Sequence, residues 1–144
     1  SVHESDLNDE SVLVYEGGYK IEDDMYVDIQ KSIEVYDSNR PLRHIPKVKL
    51  IKGDIMETLP RFLEENPHAL ISLLHIDADI FEPTKLALEL LVDKIPKGGI
   101  IVFDELNSRL YPGETIAMLE TIGAKNLRLK RFPWATSISY AVVE

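Results

Sequence analysis

The sequence predicts an α/β fold whose sheet is mostly parallel and ends in an antiparallel strand pair. Short apolar runs alternate with segments of helical period, the pattern of strand-helix-strand units. Two of the runs, ending at Ile76 and at Phe103, are each followed at once by a pair of acids, Asp77 with Asp79 and Asp104 with Glu105. Near the C-terminus two further runs, Leu127 to Phe132 and Ser137 to Val143, are separated only by Pro133-Trp134-Ala135-Thr136. So close a spacing suits an antiparallel pair at the sheet edge.

Each element has its own signal. A helix is expected from about Asp23 to Tyr36, where Met25, Val27, Ile29 and Ile33 give a fair 3.6-residue period. Val48-Lys49-Leu50-Ile51 reads as a short strand ending at Gly53-Asp54. Thr58-Leu59-Pro60 reads as a helix opening, proline being tolerated in a first turn, and that helix stops near Asn66-Pro67. The second strand is Ala69 to Ile76. Pro83-Thr84 opens the next helix, with Ala87, Leu90, Leu91 and Ile95 as its apolar stripe. Pro96 to Gly99 ends it and returns the chain into the strand Ile100 to Phe103. A shorter helix is expected from about Gly113 to Ile122.

With 144 residues, 44% hydrophobic and 28% charged, the chain is sized for one domain with an ordinary core. A net charge of −9 argues against non-specific nucleic-acid binding and against anionic membranes. No apolar run approaches the ~20 residues of a membrane span. No basic and then apolar signal segment opens the sequence, and a cytoplasmic enzyme is compatible with this. The absence of cysteine excludes disulfides, thiolate metal sites and a cysteine nucleophile. Ser1 to Ser11 is polar, acidic and aperiodic and carries no initiator Met, so a processed or truncated product is expected. Phosphate-loop, dinucleotide-loop, nucleophile-elbow and zinc-protease motifs do not occur.

The acids carry the chemistry. Ligands of open α/β sheets bind beyond the carboxyl ends of the strands. Asp77 and Asp104 lie one strand-helix-strand crossover apart, so four carboxylates are expected at one edge, where a cation, a proton or a hydrogen bond must compensate them. Oxygens of Asp77, Asp104 and Glu105, completed by water and substrate, suit Mg²⁺, and Asp77 is the first choice for the proton acceptor. Asp79, just before a helix, is expected to cap it. His75 lies inside an apolar strand, where a hydrogen-bonded core histidine is the expected role. Tyr15, Tyr19, Tyr26, Tyr36 and Trp134 are expected to be packing residues before they are pocket walls.

Four stretches taken together resemble one family. They are Lys49 to Pro60, with Gly53-Asp54-Ile55; Leu74 to Glu89, with Asp77-Ala78-Asp79; Pro96 to Glu105; and Pro112-Gly113-Glu114-Thr115. In this order and spacing the chain resembles the macrocin O-methyltransferases, class I S-adenosylmethionine-dependent enzymes that modify sugar hydroxyls of natural products. The resemblance implies a Rossmann-like class I methyltransferase sheet and methyl transfer from S-adenosylmethionine, assisted by Mg²⁺, to a small-molecule hydroxyl acceptor. Gly53, Asp54 and Ile55 would border the adenine with Asp54 accepting from its amine; Asp77 would be base, cofactor neighbour and metal ligand; Asp104 and Glu105 would complete the metal site. Glu105 stands where many relatives carry aspartate, and Phe81 where tyrosine is frequent. The family's first βαβ unit, with its glycine-rich cofactor loop, would precede Ser1, so the chain corresponds to the C-terminal part of a single methyltransferase domain. Within it, 1–46 would be the variable loop and helix over the substrate and 47–144 the catalytic remainder.

Two other readings compete: a Mg²⁺-dependent hydrolase or phosphotransferase of flavodoxin-like build, and a non-catalytic binding or scaffold module. The first lacks a lysine placed for phosphate and a nucleophile motif. Neither the acceptor nor homo-oligomer formation is legible in the sequence.

Overall fold

The computed structural model describes residues 23–135 and 137–144. Tyr15, Tyr19 and the Gly17-Gly18 pair lie outside them. The elements in order are α1 (Asp23–Ser38), α2 (Ile55–Glu65), β1 (Leu73–Ile76), α3 (Phe81–Leu91) with a 3₁₀ turn (Val92–Lys94), β2 (Ile100–Phe103), α4 (Pro112–Thr121), a second 3₁₀ turn (Ala124–Asn126), β3 (Lys130–Arg131) and β4 (Ser139–Val142).

The sheet order is β1-β2-β4-β3. β1 and β2 are parallel, with Leu73 opposite Ile100 and Ile76 opposite Phe103. β4 runs antiparallel to both β2 and β3, so the C-terminal pair closes one edge as the sequence predicts. The architecture is mixed α/β, with one parallel and two antiparallel pairings in a four-stranded sheet.

Period-2 alternation gives the sheet two unlike faces. Leu74, Ile76, Ile101 and Phe103 are buried and meet Ala87, Leu88 and Leu91 of α3 and Met118 of α4 in one core. The other face carries Leu73, His75, Ile100, Val102, Tyr140 and Val142, all exposed or half-buried. His75 is thus no core histidine: an even step from Leu73 puts it on the open face.

Two predicted elements differ. Val48 to Ile51 forms no strand, and among the described residues no strand pairs with it. α2 begins at Ile55 rather than Thr58: Asp54 caps it by accepting from Met56 N–H at 2.9 Å, which leaves Pro60 inside the helix. Proline has no N–H, so the carbonyl of Met56 goes without its usual helical partner. Among the described residues no helix is long and apolar enough to cross a membrane.

Candidate active site

Parallel pairing delivers the first two acids. With Ile76 level with Phe103, Asp77 and Asp104 leave their strands at the same end, and the Asp104 N–H donates to the Ile76 carbonyl at 3.2 Å. Beyond β1 the backbone folds tightly: Ile80 N–H reaches the Ala78 carbonyl at 2.6 Å, and Asp79 holds φ of +58°. Short polar residues tolerate this left-handed conformation better than most. Asp79 does not cap α3. Ile80 occupies the cap position and no side chain bonds there, so the carboxylate of Asp79 is not engaged in capping.

Beyond β2 the loop is pinned by the first turn of α4. Glu114 Oε1 accepts the Glu105 N–H at 3.0 Å, and Thr115 Oγ1 accepts the Asn107 N–H at 2.8 Å. Pro112 in the first turn of α4 suits its fixed φ. Glu114 is fully buried, and its Oε2 has no hydrogen-bond partner among the described residues.

These groups share one field. Burial raises the pKa of Asp79, and the charges of Asp77, Glu105 and Asp104 raise it further. Burial pushes Glu114 up to about 7 against the Glu105 hydrogen bond, with Asp104, Asp79 and Glu105 adding to the rise. Sequence reasoning assigned no role to Glu114. The signal was present: Glu114, Ala117 and Met118 fall at i, i+3, i+4, which puts a carboxylate on an apolar stripe.

Asp77, Asp79, Asp104 and Glu105 therefore gather at one edge. Even so, no group of three or more His, Asp or Glu among the described residues is set closely enough to hold a metal ion. Hard carboxylate oxygens fit Mg²⁺ in kind, and Mg²⁺ commonly uses one or two carboxylates, with waters and substrate supplying the rest.

The Gly53-Asp54-Ile55 turn lies at the start of α2. Gly53 has φ of +135°, and a Cβ there would come within 2.8 Å of Thr58 Cγ2, so glycine is required. One Asp54 oxygen is committed to the cap. Met56, just beyond, and Phe81, opening α3, line a cleft of about 260 Å³ with Lys85 and Glu120. Tyr26 of α1 faces the Lys52 ammonium at 5.3 Å and so stands beside the same turn.

The family model described as Macrocin-O-methyltransferase (TylF) matches residues 29–118. The chain belongs to this family. A crystal structure of CalS11, a calicheamicin methyltransferase, is similar over 98% of the chain at 30% identity and a TM-score of 0.91. The apo structure of CalS11, described as a TDP-rhamnose 3'-O-methyltransferase of calicheamicin biosynthesis, is similar over 86% at 31% identity and a TM-score of 0.81. This member of the macrocin O-methyltransferase family spans about half of those two chains, 55% and 54% respectively. None of the curated proteins matches its sequence.

Proposed function

We propose that the chain forms the acceptor side of an O-methyltransferase acting on a sugar hydroxyl of a natural-product precursor, with a nucleoside-diphosphate sugar as the favoured acceptor. The supporting observation is the raised proton affinity of Asp79, which burial and three neighbouring carboxylates produce at the carboxyl end of two parallel strands. S-adenosylmethionine supplies, when bound, a methyl group on a sulfonium that is already a good leaving group. What remains for these residues is orientation and deprotonation of the acceptor. Asp79, whose affinity for a proton burial raises, takes the hydroxyl proton as the oxygen attacks. Asp77 and Asp104, with Glu105 beside them, would hold Mg²⁺, and such an ion would polarise the hydroxyl. Gly53, Asp54 and Ile55 border the cofactor, and segment 1–46 covers the acceptor.

Mg²⁺ titration followed by calorimetry tests the site directly: Asp104→Asn should abolish binding. Joined to the part of CalS11 that the chain does not cover, it should transfer a labelled methyl group to a nucleoside-diphosphate sugar. A protein that binds Mg²⁺ equally well with and without Asp104, and transfers no label, would sink this reading in favour of a scaffold module.

A further inference from the structure

Side chains from two other elements hold the backbone of three consecutive residues after β2. Glu114 accepts the Glu105 N–H, Arg131 donates to the Leu106 carbonyl, and Thr115 accepts the Asn107 N–H. Glu114 and Thr115 lie in the first turns of α4. Arg131 comes from β3, where its Nε also donates to Ser139 Oγ of β4 at 3.0 Å. Leu106 is itself buried in the core, and Asn107 holds a left-handed φ of +65°. Loops at the ends of strands are ordinarily the mobile part of a domain. This one is gripped from α4 on one side and from the C-terminal hairpin on the other.

Glu114 is the costly member of the grip. It is fully buried, its Oε2 has no hydrogen bond among the described residues, and the charges of Asp104, Asp79 and Glu105 act on it. An apolar residue would fill this place on the α4 stripe without that cost. What an apolar residue lacks is an acceptor for the Glu105 N–H, which belongs to the amide joining Asp104 to Glu105. A buried polar group kept at such a cost calls for a role of its own.

We propose that Glu114 is a positioning residue, gripping the Asp104–Glu105 amide so that both acids present their oxygens to a divalent cation in one fixed direction. Thr115 and Arg131 hold the two residues that follow. Both oxygens of Glu114 are enclosed, so it acts through its neighbours and holds no cation itself. Mg²⁺ takes its ligands at about 2.0–2.1 Å in near-octahedral order, so a carboxylate turned out of place is lost to it. This role rests on the proposed Mg²⁺ site for its consequence and on the loop's own hydrogen bonds for its geometry.

Glutamine and leucine at position 114 separate grip from charge. Both remove the carboxylate, and only glutamine keeps an oxygen for the Glu105 N–H. By calorimetry, Glu114→Gln should bind Mg²⁺ within about threefold of the native chain, and Glu114→Leu about tenfold more weakly or worse. Amide exchange followed by NMR should be about tenfold faster at Glu105 in Glu114→Leu and unchanged in Glu114→Gln. Thr115→Val, close to isosteric, should speed exchange at Asn107 and weaken Mg²⁺ binding by a smaller factor. That second variant keeps the test independent of how well Glu114→Leu folds. Native affinity in both Glu114→Leu and Thr115→Val, or an equal loss in Glu114→Gln and Glu114→Leu, would overturn the positioning role and leave the Mg²⁺ site and methyl transfer standing. A native chain that binds no Mg²⁺ removes the metal site, and this role with it.

Discussion

Asp79 combines an unusual backbone angle with a crowd of like charges. Its left-handed φ of +58° narrows the choice of residue, and its neighbours raise its affinity for a proton. Asparagine tolerates the same angle, so Asp79→Asn should keep or slightly raise the melting temperature while transfer by the chimaera falls by about 10²–10⁴-fold. Equal activity of Asp79→Asn would return the base to Asp77. Glu114 gives a pH signature. Unfolded, its carboxyl ionises near 4.5; folded, near 7. Between those values the unfolded chain releases a proton that the folded chain retains, so stability falls as pH rises and levels off above 7. The loss is of order 3 kcal/mol, and Glu114→Gln should flatten that part of the melting-temperature profile. That Asp77 and Asp104 share one edge is legible in the sequence because each follows an apolar run at once. The expected capping by Asp79 does not occur and Glu114 has no expected role, because a left-handed turn and a buried helix face are set by neighbours distant in sequence.

Elements defined by their own sequence were the easiest to anticipate. β2 has the bounds its apolar run suggests, and α4 differs from expectation by one residue at each end because Pro112 fixes its start. α1 runs two residues beyond Tyr36, and Val35 and Tyr36 on it stay exposed. α2 starts three residues before the opening expected at Thr58, because Asp54 caps it and Pro60 sits inside the helix rather than in its first turn. Asp54→Ala should cost about 1 kcal/mol and lower the melting temperature by about 4 °C through the lost cap. Gly53→Ala should cost more, since both the angle and Thr58 oppose a side chain. The strand expected over Val48 to Ile51 shows the limit of local pattern: a strand exists only where a partner accepts its hydrogen bonds.

At the scale of the molecule the core is one-sided. α3 and α4 meet one face of the sheet, and the described residues leave the other with exposed Leu73, 56% accessible, and Val142. The cofactor contacts that the sequence suggests are few, and the chain spans about half of the CalS11 structures. The 144 residues alone should therefore bind S-adenosylmethionine more weakly than micromolar; a micromolar dissociation constant by calorimetry would show the cofactor site to be complete. No local pattern could reveal this asymmetry, because an apolar strand reads alike whether one face is covered or two. β1 pairs on one side only among the described residues, which leaves a row of amide and carbonyl groups along its outer edge. Such an edge is a template on which another copy can add a strand. The net charge of −9 opposes such pairing, and salt screens that repulsion within about 8 Å at physiological ionic strength. Colloidal behaviour should thus run opposite to that of a salt-bridged assembly: dispersed in dilute buffer, and clustering, by light scattering, as salt is added.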